Sequence, residues 1–140
     1  MMTLDEINAF NEGSLMEALG IKYTLVSKER VEATMPVNEH TRQPFGVLHG
    51  GASLALAETV AGVGSMANVA EGETVVGMQV SGSHVAPAMD GDTVLAVATP
   101  IKIGMRTHVW NVDVIAGDDT LVSTIRVVNH VISARRKRQR

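Results

Sequence analysis

A chain of 140 residues suits one domain around one core, and 45% hydrophobic residues supply that core although aromatics make up only 3%. A net charge of −3 argues against a nucleic-acid partner for the body of the chain, and the lack of cysteine excludes disulfides and thiolate zinc sites. The opening run MMTLDEINAFNEG does not read as a signal peptide and no segment reads as a membrane span, so a cytoplasmic protein without membrane contact is expected.

In chain order, residues 3–19 read as an amphipathic helix. Thr3 and Glu6 form a capping box, Gly13 breaks the apolar side and Gly20 ends it. Residues 21–28 and 30–37 alternate as two strands, with Lys28-Glu29 at their turn. A polar loop over 38–48 contains Pro44 and Gly46. A long helix follows from about Gly50 to Ala70, closed by Glu71-Gly72-Glu73. Four long antiparallel strands are then predicted at 74–86, 92–103, 106–116 and 120–132, joined by short hairpins at Pro87 to Asp92, Gly104 and Gly117 to Asp119. The central helix is rich in Ala and Gly and has no charged face. An antiparallel sheet curled around one buried helix is therefore the expected α+β architecture. Residues 1–133 form the expected domain, and the basic run 134–140 a disordered tail.

The chemistry concentrates on the central helix. Glu58 is the one charge in the run Gly50 to Val69, and its neighbours at helical spacing are Leu54, Ala55, Ala61 and Gly62. A lone carboxylate in dry surroundings is costly, which marks Glu58 as a functional candidate. At the start of the helix, His49-Gly50-Gly51 offers backbone N–H groups with no intrahelical partner and no side chain in front of Gly50 or Gly51. That is a device for polarising a carbonyl oxygen, and Gln43 can add a side-chain amide to it. Eight residues of helix separate Gly50 from Glu58 by ~12 Å, too far to act on one carbonyl. A two-fold dimer with antiparallel helices brings Glu58 of one subunit to Gly50 of the other.

The run Gln43-Pro-Phe-Gly-Val-Leu-His49-Gly50-Gly51-Ala52, with Glu58 beyond it, closely resembles the hotdog-fold acyl-CoA thioesterases. The nearest likeness is to the branch that holds 4-hydroxybenzoyl-CoA and 1,4-dihydroxy-2-naphthoyl-CoA thioesterases, including the phenylacetate-degradation type. Glu32 to Pro36, Val75 to Gly77, His84-Val85 and Val109-Trp110 extend the likeness. The resemblance implies hydrolysis of an aromatic or medium-chain acyl-CoA. Glu58 would be nucleophile or general base, and the Gly50 amide, assisted by Gln43, would hold the thioester oxygen. His49 would orient Gln43 or the leaving sulfur. Ser81, Gly82, Ser83 and His84 would line the pantetheine path, and Lys102, Arg106 and Thr107 would meet the nucleotide phosphates. A required homodimer, assembled into a homotetramer, is implied, with no cofactor beyond the coenzyme A of the substrate.

Members of that family carry Ser or Thr four residues after the Glu to position water. Gly62 departs from this, and Ser65 one turn on is a weak substitute. His84, His108 and His130 lack metal-ligand spacing, so no metal site is expected. Two rival functions stay open: a hotdog-fold acyl-thioester dehydratase and a non-catalytic acyl-CoA-binding module. A lipase-type site is excluded, because no G-x-S-x-G elbow exists.

Overall fold

The computed structural model describes residues 2–133; the expected tail at 134–140 lies outside them. Six antiparallel strands form one sheet: β1 (Lys22–Val26), β2 (Val31–Pro36), β3 (Thr74–His84), β4 (Thr93–Ile103), β5 (Thr107–Ala116) and β6 (Leu121–Ile132). They lie in the order β1-β2-β4-β5-β6-β3. The helices are α1 (Leu4–Ala9), α2 (Leu15–Leu19) and α3 (Gly50–Met66). α3 lies across the concave face of the sheet and touches all six strands. This is the hotdog arrangement that the central helix and the run of strands imply.

Local rules account for these elements. On β5, His108, Trp110, Val112, Val114 and Ala116 are buried and alternate with half-buried residues, the period of a strand with one face on a core. α3 is sunk into the sheet along one face only, burying Ala52, Leu56, Ala57, Val60, Ala61 and Gly64 among others. Its small residues permit close approach. A methyl group on Gly64 would fall 2.5 Å from the Trp110 ring, so the ring can approach the helix this closely only at a glycine. No described helix is long and apolar enough to cross a membrane.

Three expectations need correction. The first two of the four predicted strands do not form a hairpin: β3 pairs with β6, and β4 with β2 and β5, so residues 85–92 carry the chain from the edge of the sheet to its interior. Residues 3–19 are not one helix. The Thr3–Glu6 capping box forms as expected, but α1 ends at Ala9, Gly13 turns the chain at φ +77°, and a second short helix starts after Ser14. Asn11 sits in that break and donates from Nδ2 to the Ile21 carbonyl at 3.0 Å, so the turn docks on the residue that leads into β1. α3 stops at Met66 rather than Ala70. The Asn68 side chain donates to the Gly64 and Lys28 carbonyls at 2.8 and 2.9 Å, which satisfies the helix end and ties it to the β1–β2 turn.

Candidate active site

The N-terminus of α3 is built by a narrow hairpin. Thr41 accepts from the His49 N–H at 2.9 Å, and Gln43 donates from its backbone to Val47 at 2.8 Å, bringing the chain back at Gly46. His49 is the N-cap, and its Nδ1 accepts from the Gly51 N–H at 2.8 Å. That nitrogen therefore holds no proton in this arrangement. The Ala52 and Ser53 amides turn back to the His49 carbonyl. Gly50 is left as the first-turn amide with no partner among the described residues. His49 thus serves as a helix cap, and this singles out Gly50 over Gly51 as the donor available to a ligand.

Gln43 braces its own loop, with Oε1 accepting the Phe45 N–H. The end of its amide that remains for a ligand is the Nε2 donor. An Arg42–Asp90 pair at 2.7 Å and a Leu48 N–H bond to the Ala88 carbonyl at 2.8 Å fasten this hairpin to the segment before β4.

His84, at the end of β3, faces the same helix terminus. Its Nδ1 lies 2.7 Å from the buried Ser123 hydroxyl on β6, and its Nε2 would be 2.6 Å from a methyl group on Gly50. Gly50 is a glycine partly because this ring occupies the space beside it.

Glu58 sits two turns further along α3. The sequence suggests dry surroundings, but in the single chain its side chain is exposed and makes no hydrogen bond or ion pair among the described residues. The reason is its helical phase. Leu56, Ala57, Val60 and Ala61 turn to the sheet, whereas Gly50, Leu54, Glu58 and Gly62 share an i, i+4 ridge that no strand of the chain covers fully. Glu58 Oε1 stands over Gly77 of β3, 3.3 Å from where a side chain there would begin. Beside it opens a cavity of about 1080 Å³, walled by α1, α2, β1 and the second half of α3, with Ile7, Phe10, Met16, Gly62 and Val63 among its lining.

Ser65 cannot stand in for a hydroxyl at Gly62. It is fully buried, with its Oγ bonded to Trp110 Nε1, His108 Nδ1 and Asn129 Nδ2 at 2.8, 2.8 and 3.0 Å.

The remaining candidates separate into two groups. Ser81, Gly82, Ser83 and His84 are exposed on β3 at the Gly50 end of the sheet. Lys102, Arg106 and Thr107 lie on the β4–β5 hairpin at the other end. His84 pairs with Ser123 and Thr107 with His130, seven residues of β6 apart (130 − 123), or ~23 Å. One chain does not bring these groups together. Ser123 and Gly77 also shape the site, and the sequence signals only the second: a glycine inside the apolar run Val75 to Val80 marks a close approach.

Known proteins share this framework. The thioesterase superfamily model matches residues 45–123. The 1,4-dihydroxy-2-naphthoyl-CoA hydrolase of Escherichia coli is 34% identical over 131 residues, 94% of this chain and 96% of that protein. The proofreading thioesterase EntH of Cronobacter turicensis is 43% identical over 111 residues, covering 79% and 80%. A crystal structure of a Haemophilus influenzae thioesterase superimposes with a TM-score of 0.91 at 39% identity, over 96% of this chain and 93% of the other. The fold thus coincides with that of relatives matched over most of their length, and the chain belongs to the thioesterase superfamily as a thioester-hydrolysing enzyme.

Proposed function

We propose that the enzyme hydrolyses an aromatic or medium-chain acyl-CoA to the free acid and coenzyme A. It does so in two equivalent sites of a homodimer, each made of Glu58 from one protomer and the partner's Gly50. The observation that carries this reading is the open ridge of α3. It holds an uncommitted amide at Gly50 and an unpaired carboxylate at Glu58, ~12 Å apart on one face. Two such helices packed antiparallel about a two-fold axis match amide to carboxylate twice over. The outer edge of β3, exposed along most of its length, is a second surface that calls for cover by another copy. The same two-fold sets Ser81 to His84 of one protomer near the partner's Lys102 and the partner's Arg106, joining the two groups into one route for the coenzyme arm. Pairing of dimers into a tetramer extends the reading.

In that site the Gly50 amide, with the Gln43 Nε2 donor, receives the charge that develops on the thioester oxygen. As nucleophile, Glu58 forms a C–O bond to the acyl carbon as the C–S bond breaks. The coenzyme leaves as thiolate and takes up a proton, and water then cleaves the mixed anhydride and restores the carboxylate. As general base, Glu58 takes a proton from water that attacks the same carbon directly. In a single turnover in ¹⁸O-labelled water, label in the Glu58 carboxylate marks the first route, with water attacking the Glu58 carbon of the anhydride.

The test of the reading is a thiol-release screen over benzoyl, naphthoyl, phenylacetyl and straight-chain CoA thioesters, with parent enzyme and Glu58→Ala. Turnover should fall by about 100-fold or more in the variant with the fold intact. Release near the parent rate removes Glu58 from the chemistry, and an enoyl product without free thiol points to dehydration instead.

A further inference from the structure

We propose that the Tyr23 hydroxyl is a specificity-determining contact. It hydrogen-bonds a neutral polar substituent, a hydroxyl above all, on an acyl group whose apolar body fills the cavity beside Glu58. The proposal rests on the acyl-thioesterase reading and adds to it a residue of this chain that selects among acyl groups.

Tyr23 and Glu58 line the same cavity of about 1080 Å³. Tyr23 is only 4% exposed. Its hydrogen bonds are made by its backbone, and its phenol oxygen has no partner among the described residues. Every described buried side-chain oxygen or nitrogen that is sealed from solvent does have a partner. The phenol oxygen is therefore not sealed, and the open space that Tyr23 borders is this cavity.

The other polar groups in the lining are mostly committed elsewhere. Asn11 donates to the Ile21 carbonyl, Ser14 to the Asn11 carbonyl and Thr59 to the Ala55 carbonyl. The remainder of the lining is largely apolar, with Ile7, Phe10, Met16 and Val63 among it. An acyl group entering here meets hydrocarbon, the reacting carboxylate and a phenol. Burial pushes the Tyr23 hydroxyl up to about 12, so it keeps its proton at neutral pH and can donate as well as accept.

The backbone that carries the ring is also held in place. The Asn8 side chain accepts from the Tyr23 N–H at 2.8 Å and donates to its carbonyl at 3.0 Å, clamping α1 to β1 at this residue. A fixed hydrogen-bonding group in an apolar wall discriminates strongly, because a substrate lacking the matching group leaves it unpaired.

The experiment compares kcat/KM for hydroxyl-bearing acyl-CoA thioesters with that for their hydroxyl-free parents, in the parent enzyme and in Tyr23→Phe. The probes are the three ring isomers of hydroxybenzoyl-CoA against benzoyl-CoA, and an ω-hydroxyalkanoyl-CoA against the plain alkanoyl-CoA. For at least one pair the selectivity ratio should fall by about tenfold in the variant. As a second readout, adding Tyr23→Phe to a Glu58→Gln background, where the thioesters persist, should weaken calorimetric binding of that hydroxylated ligand by a similar factor. Ratios within twofold of the parent for every pair overturn the assignment of Tyr23 while leaving the hydrolase reading untouched. Absence of thiol release from every thioester by the parent enzyme overturns both.

Discussion

The Glu58 carboxylate stands over Gly77: a methyl group built on Gly77 would lie 3.3 Å from Glu58 Oε1 and 3.9 Å from Asn129 Oδ1. The helix thus presents its acid to a notch in the neighbouring strand, at the position where Gly77 pairs with Asn129. Asn129 is fixed from behind by its bonds to the Ala61 carbonyl and the Ser65 hydroxyl. A residue absent from any chemical role decides where the carboxylate can rest.

Gly77→Ala fills that notch. The added methyl meets the far end of a flexible side chain, so the fold absorbs it, but the carboxylate must shift by a few tenths of an ångström. Turnover should fall by about tenfold with little change in KM or Tm, because small displacements of a reacting group are costly. Circular dichroism and thiol release on the same preparation check this. A parallel loss of Tm would mean that the glycine serves packing and not the acid.

Gly50 and His84 are coupled in the same manner at the other end of α3. A methyl on Gly50 would sit 2.6 Å from His84 Nε2, and the ring is held by Ser123 at 2.7 Å. Gly50→Ala should cost roughly 1–3 kcal/mol in urea unfolding, the range for overpacking. Adding His84→Ala should return most of that, giving a non-additive cycle. Simple additivity of the two losses would show that the strain lies in the helix backbone.

Much of this was legible in the residues. The buried alternation of β5, the Thr3–Glu6 cap, the start of α3 at Gly50 and the small-residue helix under a wrapped sheet all follow from local period and capping chemistry. What local rules missed depends on contacts far along the chain. The α1–α2 break is fixed by Asn8 and Asn11 reaching β1 and the residue that leads into it, and no pattern within residues 3–19 announces those partners. The apolar sequence neighbours of Glu58 suggest dry surroundings; helical phase instead turns it to the exposed edge strand β3, beside Gly77. Ser65 lies a turn beyond Gly62, and only the fold shows that Trp110, His108 and Asn129 converge on it.

The Ser65 cluster fixes a protonation state. Ser65 Oγ accepts from Trp110 Nε1 and Asn129 Nδ2, so its one proton is left for His108 Nδ1, which must be bare. Ser65→Ala strands those partners in the core and should cost roughly 2–4 kcal/mol. Burial holds His108 below its ordinary 6.5, against the opposing pull of the Glu73 carboxylate and the Gly104 carbonyl. Above pH 6.5 the residue is neutral in both states and its contribution is complete. As the pH falls through 6.5 the unfolded chain takes up the proton first, so stability is lost from there down to the lower folded value. Urea midpoints just below pH 6.5 should therefore fall more steeply in the parent than in His108→Gln. Equal slopes would remove His108 as the source.

Gly62→Ser tests how the attacking water is held. Nothing lies within 4 Å of a side chain begun at Gly62, which lines the same cavity as Glu58 one turn away. Serine therefore fits, and replacing a helix-interior glycine should add about 0.5 kcal/mol of stability. On the reading in which a hydroxyl at this position orients water for Glu58, kcat should rise by up to about tenfold. If Glu58 is the nucleophile, the gain appears only in the hydrolysis of the anhydride, so a pre-steady-state burst of thiol should shrink as the later step quickens. If it is the base, there is no burst in either enzyme and the whole progress curve steepens. A variant with higher Tm and unchanged or lower kcat would show that water reaches the acyl carbon here without a side chain at position 62.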